Sequence, residues 1–149
     1  MTVNLLSAAK AIARRRSRRF AVHWSAHVYA TDPARGRWLA RPPIVASGTA
    51  LDVSVEGVQI QIPRQALTQS VPDPCWIQLD SPHQRWQWPA TILRLSADGA
   101  WVRLALHFDP QSLSDAQQDT WRDWVQWLNH PTDLVALPAL PFVDSPLLH

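Results

Sequence analysis

Between residues 20 and 108 apolar side chains recur with a period of two, which restricts this stretch to sheet with one buried face. Phe20, Val22, Trp24, Ala26 and Val28 form the first run. Residues 44–53 and 57–62 read as the next two strands, with Val58, Ile60 and Ile62 on one side and Gln59 and Gln61 on the other. A short strand is expected at 75–79. Strands at 86–96 and 100–108 pair as a hairpin through Ala97-Asp98-Gly99. Turn signals separate these runs, at Asp32-Pro33 to Gly36 and in the three-proline stretch 63–74. Short antiparallel strands at such spacing suit a closed barrel, and closure leaves no strand edge exposed. The expected fold is mainly β, a six-stranded antiparallel barrel with a short helix before it and a helix after it.

Helical spacing flanks the barrel on both sides. Leu5, Leu6, Ala9, Ile12 and Ala13 predict a helix over 3–13. Ser114 reads as an N-cap with Asp115 in the first turn, followed by Trp121, Trp124, Val125 and Leu128 on one face. Trp127 falls off that face and is expected either to be exposed or to lie under the tail. Asn129-His130-Pro131 ends the helix. Residues 131–149 hold four prolines and no periodic pattern. The expected organisation is therefore 1–13 as helix and linker, 14–130 as barrel with its C-terminal helix, and 131–149 as a proline-rich tail.

Charge is distributed unevenly. Lys10, Arg14, Arg15, Arg16, Arg18 and Arg19 fall in the first twenty residues, and no acidic residue precedes Asp32. The remaining chain has eight basic and twelve acidic residues, so a mildly acidic body carries one concentrated basic entry. Such a patch attracts phosphate, whether in a nucleotide, a nucleic acid or a lipid headgroup. The single cysteine, Cys75, excludes an internal disulfide. His23 and His27 share a strand face without a third ligand nearby, so no metal is expected. Neither a G-x-S-x-G elbow nor an H-E-x-x-H motif occurs, and the chain is not expected to be an enzyme.

Two segments stand out in combination. Arg14-Arg15-Arg16-Ser17-Arg18-Arg19 precedes the first strand and contains R-x-x-x-R twice, as Arg14/Arg18 and Arg15/Arg19. Asp52-Val53-Ser54-Val55-Glu56-Gly57 is a D-x-S-x-x-G at the next hairpin. In this order the pair resembles the PilZ domain family, whose members bind the bacterial second messenger cyclic di-GMP. The resemblance covers about residues 14–110. It implies a ligand site of Arg14, Arg15, Arg18, Arg19, Asp52, Ser54 and Gly57, with Arg15 and Arg19 as the matched arginine pair. It also implies one bound ligand or an intercalated pair, with Arg14, the residue before the first arginine, bearing on which.

The residue types suit such a ligand. Guanidinium groups grip phosphate or the O6/N7 edge of guanine with paired donors, and they stack on the base. The carboxylate of Asp52 is suited to accept from guanine N1–H and N2–H. Ser54 offers a small hydroxyl, and Gly57 permits a positive φ and close backbone approach. Among nine tryptophans, Trp88 and Trp101 are the candidates for stacking on guanine. Glu56, inside the turn, is expected to face solvent and to weaken anion binding.

The apolar start, the arginines, the barrel and Leu106-His107-Phe108-Asp109-Pro110-Gln111-Ser112-Leu113-Ser114 together look like the C-terminal PilZ region of bacterial cellulose synthase catalytic subunits. This chain has no glycosyltransferase or membrane-spanning segment, so it reads as a free-standing regulator or as a piece of such a protein. The implied setting is the cytoplasm, at the inner face of the inner membrane. The implied partner is a membrane glycosyltransferase or polysaccharide secretion component. Residues 3–19, apolar then basic, also suit peripheral contact with anionic lipid. Two alternatives remain open: a PilZ-like scaffold for protein contacts that binds no ligand, and a nucleic-acid-binding barrel with a basic arm, for which no specific nucleic acid is expected.

Overall fold

A computed structural model describes residues 18–34, 42–67, 69–131 and 134–136. The expected helix at 3–13 and the site candidates Arg14 and Arg15 lie outside the described residues. The described elements are β1 (Phe20–Tyr29), β2 (Ile44–Val53), β3 (Gly57–Pro63), β4 (Cys75–Asp80), β5 (Arg85–Asp98), β6 (Trp101–Phe108), α1 (Asp115–Asn129) and β7 (Val135–Ala136). One-turn 3₁₀ helices follow β3 at Arg64–Ala66 and β6 at Pro110–Ser112.

Six strands close into an antiparallel barrel in the order β2-β3-β6-β5-β4-β1, with β1 returning to β2. The alternation in sequence becomes alternation in burial. Val58, Ile60 and Ile62 point inward at 5% exposure or less, and Val102, Leu104, Leu106 and Phe108 do the same on β6. β4 pairs only with Ser25–Tyr29 of β1, and β7 pairs with Phe20 and Ala21 at the other end of that strand. A short piece of the chain beyond α1 thus supplies sheet partners where β4 does not reach.

Helix α1 starts where Ser114 predicted. The Ser114 hydroxyl accepts from Gln117 N–H, and the Gln117 side-chain oxygen accepts from Ser114 N–H, which completes a capping box. Its apolar face closes the core. Trp124 and Leu128 are buried, and Trp124 meets Trp86 edge-on at 5.0 Å. Trp121 meets Trp88 in the same way at 5.0 Å. Trp127 is half-buried rather than exposed, because it stacks on Trp24 at 5.8 Å and on Trp86 at 5.6 Å. It lies three residues after Trp124, about 60° round the helix, and its long indole reaches back over the barrel wall.

Four register shifts interrupt the ladders among the described residues of β1, β2 and β5. Ala50 pairs with Ile60 and Asp52 with Gln59, so Leu51 is an extra residue on β2. Ile92 pairs with Leu106 and Arg94 with Ala105, so Leu93 is extra on β5. In the pairing of β1 with β2 the shifts fall between Ala21 and Trp24 and between Val28 and Tyr29. Each extra residue reverses which face the following side chains take.

Candidate functional site

The first motif meets the second through strand register. Ala21 of β1 pairs with Asp52 of β2, which sets Arg19, two residues upstream, beside the Asp52 carboxylate. The guanidinium donates to both carboxylate oxygens, from one terminal nitrogen at 2.7 Å and from Nε at 3.4 Å. The Arg19 side chain is 55% exposed and that of Asp52 is 15% exposed. An exposed arginine held by a half-sunken carboxylate is positioned while its outer donors stay available. Arg18 lies exposed at the same entry.

The β2–β3 turn is held by the side chain of Ser54. Its oxygen accepts from the N–H groups of Glu56 and Gly57, both at 3.2 Å, and Ser54 N–H donates to the Gly57 carbonyl at 2.9 Å. The hydroxyl hydrogen remains free to be donated outward, since both bonds use the oxygen as acceptor. Of the two reasons expected for Gly57, close backbone approach applies and positive φ does not. Its φ is not positive; among the described glycines only Gly99, at the β5–β6 turn, has that conformation, with φ 62°. A Cβ at Gly57 would run into the carbonyl oxygen of Leu106 on β6, so the absence of a side chain lets β3 and β6 close. Phe108 N–H donates to the Glu56 carbonyl at 2.8 Å just beyond this contact.

These groups border an open concavity of about 240 Å³ on the outer barrel wall, lined in part by Arg19, Asp52, Ser54, Glu56 and Gly57. Arg18 is not among its lining residues, and neither are the two proposed stacking residues. Trp88 is 1% exposed, locked among Trp86, Trp121 and Trp124. Trp101 is 43% exposed at the tip of the β5–β6 hairpin.

Sequence reasoning did not identify Gln59, Leu93, Arg94, Ala105 and His107 as part of the lining. They come from β3, β5 and β6 and share no linear motif with the arginines. Glu56 is half-buried rather than solvent-facing, and one of its carboxylate oxygens is enclosed without a hydrogen-bond partner. That uncompensated charge beside the concavity opposes an anionic ligand. Away from this wall, His27 bonds Ser47 at 2.8 Å and lies 3.6 Å from Asp80, with Arg85 on the other side of that carboxylate. Among the described residues no three side chains are grouped to hold a metal ion. No described helix is long and apolar enough to cross a membrane.

Several solved structures are similar to this chain. YcgR from Escherichia coli in complex with c-di-GMP is 14% identical with a TM-score of 0.48, covering 78% of this chain and 46% of its own. The Bacillus subtilis inhibitor of motility, MotI/DgrA, is 12% identical with a TM-score of 0.50, covering 80% of this chain and 54% of its own. The PilZ domain of CeSA from a cellulose-synthesizing bacterium is 18% identical with a TM-score of 0.45, covering 75% of this chain and 98% of its own. The chain therefore spans about half the length of the first two of these proteins. No curated protein matches it in sequence. The family model of the PilZ domain matches residues 13–126, a span that holds both motifs, the closed barrel and most of α1. On that match, the chain belongs to the PilZ domain family.

Proposed function

We propose that the chain is a regulatory module that binds cyclic di-GMP and passes the level of that messenger to a protein partner. The observation that carries this reading is the Arg19–Asp52 pair. Residues 33 apart in sequence meet at the rim of a concavity whose edge is the Ser54–Gly57 turn. Asp52 offers a carboxylate to the N1–H and N2–H of a guanine, while Arg19 offers planar donors to its other edge or to a phosphate. Ser54 adds its hydroxyl hydrogen. Arg14, Arg15 and Arg18 would approach from the segment before β1 and neutralise the two phosphodiesters.

In this reading ligand draws the arginine segment onto the barrel and reorients what precedes it. The size of the shift is set by the difference in affinity between the two arrangements. The output would be a protein contact, with exopolysaccharide synthesis as the process served and a membrane glycosyltransferase or secretion component as the partner. This is a binding role, without catalysis, placed on the cytoplasmic side. One observation favours a second reading. Leu93, Leu95 and Trp101 are exposed along the β5–β6 hairpin, which suits a scaffold acting through protein contacts alone.

Calorimetric titration with cyclic di-GMP, with GMP as control and Asp52→Ala alongside, separates the two. Saturable binding of cyclic di-GMP that weakens at least tenfold in the variant supports the sensor. Absence of binding across salt concentrations rejects it in favour of the scaffold.

A further inference from the structure

We infer that the free edge of β5, residues 94–98, pairs with the same edge of a second copy of this chain, antiparallel and centred on Ser96, and so joins two barrels into a symmetric dimer. Such pairing needs no nucleotide, so it stands or falls separately from the sensor reading.

The edge exists because β5 outruns β4. The β4–β5 ladder runs from Asp80↔Arg85 to Cys75↔Ala90 and stops there. Just past that point the Ile92 N–H is taken by the Asp73 carboxylate at 3.1 Å. From there to Asp98, β5 has β6 on one side and, among the described residues, no strand on the other. The bulge at Leu93 comes before this stretch, so residues 94–98 pair regularly with 101–105. Every residue from 93 to 98 is exposed. Leu93 and Leu95 are 50% and 53% exposed, and Trp101 across the turn is 43% exposed. An edge this open, with apolar residues and with neither lysine nor proline to blunt it, is a template for another strand.

The hairpin turn decides which backbone groups face outward. Gly99-Ala100 is a two-residue turn, and Gly99 has the positive φ, 62°, that such turns need at their first central residue. Bonding alternates from the closing pair Asp98↔Trp101, so Asp98, Ser96 and Arg94 turn their backbone groups to β6. Leu95 and Ala97 turn theirs to the open edge.

Self-complementarity points to a second copy as the occupant. Arg94, Ser96 and Asp98 share the outer face, while Leu95 and Ala97 lie opposite buried Leu104 and Val102 on the inner face. Pairing centred on Ser96 sets Arg94 against Asp98 of the second copy, and Leu95 against its Ala97, each contact made twice by symmetry. Among the described residues neither Arg94 nor Asp98 forms an ion pair within the chain. Their new pair falls at a position without ladder bonds, where facing side chains are closest. A slide of two residues either way separates Arg94 from Asp98, so charge fixes the register. The chain's own segment 137–149 suits the edge less well, because its prolines at 138, 141 and 146 lack an N–H. Two short strands bury less than a standard interface, so the dimer should be weak and concentration-dependent.

Sedimentation of the full chain from micromolar to submillimolar concentration reads the assembly, and mild oxidation of Ser96→Cys and Asp98→Cys locates it. Across the two-fold axis the 96 positions face each other, whereas the 98 positions are offset by four residues, about 13 Å, beyond the reach of a disulfide. Cys75 is buried and common to both variants. The expected result is a parent whose mass climbs toward that of a dimer, with at least tenfold more covalent dimer from Ser96→Cys than from Asp98→Cys. Asp98→Arg sets like charges opposite each other and should hold the chain monomeric, and adding Arg94→Asp should restore the dimer. All three positions are exposed, so thermal melts within a few degrees of the parent confirm folding. A parent that stays monomeric throughout overturns the proposal and leaves the edge to an extended segment of a different protein. A dimer that ignores the charge swap, and links no better through position 96 than through 98, also overturns it by placing the interface elsewhere.

Discussion

Gly57→Ala isolates why the motif ends in glycine. The Cβ of alanine would overlap the Leu106 carbonyl oxygen, a backbone atom that cannot rotate away. Relief requires β3 and β6 to part at the Gly57–His107 pair, next to the bond from Phe108 N–H to the Glu56 carbonyl. Overpacking of this kind costs about 1–3 kcal/mol, or a fall in Tm of roughly 3–10 °C for a chain of this size. The turn also moves, because the Gly57 N–H is one of the two donors that hold the Ser54 oxygen. A shift there should weaken cyclic di-GMP binding about tenfold, equivalent to ~1.4 kcal/mol. Gly48→Ala is the control. It meets the Gln61 carbonyl in the same way but lies away from the concavity, so it should lower Tm and leave affinity nearly unchanged. Thermal melts and calorimetry on both variants, with Gly57→Asn added, decide the matter. A clash ranks asparagine no better than alanine, whereas a demand for positive φ would rank asparagine better. Unchanged melting in Gly57→Ala, or rescue by asparagine, would refute the steric account.

Arg19→Ala should lower cyclic di-GMP affinity at least tenfold while changing stability by less than about 1 kcal/mol, since an ion pair this exposed contributes little to folding; calorimetry and melts read the two effects separately. Glu56→Gln removes a half-buried charge with an unpartnered oxygen beside the concavity, so it should tighten cyclic di-GMP binding several-fold and raise Tm. Cys75 is buried, and that burial, followed by the nearby charges of Asp73 and Asp109, raises its pKa from 9.0 to about 12. Its thiol should resist alkylation at pH 8.5 in the folded protein and react only on unfolding, as thiol titration with and without denaturant would show. Because the folded value is raised, this group favours the folded state below about pH 9 and loses that contribution as pH climbs toward 12.

Much of the barrel was legible because half-buried strands leave a period-two record, and residues 57–62 carry it without interruption. The start of α1 was legible because a serine cap acts through groups three residues away in sequence. The two motifs were legible as linear patterns, with their residue types matched to a dianionic purine ligand. Other features depend on contacts that no local pattern records. Trp127 joined the packed face because indoles from two strands and the preceding helix turn converge on one cluster. Trp88 reads from sequence like any strand tryptophan, and only the arrival of α1 encloses it.

The sequence by itself determined that residues 20–108 form antiparallel strands, that a basic segment leads into them, and that an acid, a serine and a glycine sit in one turn. Only the tertiary structure decided which side chains share the site. A bulge is one extra residue relative to a partner strand, so it exists only in the pairing. Reading each strand alone, alternation assigns Asp52 and Arg94 inward. The registers of β2 with β3 and of β5 with β6 turn both outward onto one wall, and that of β1 with β2 brings Arg19 to meet Asp52.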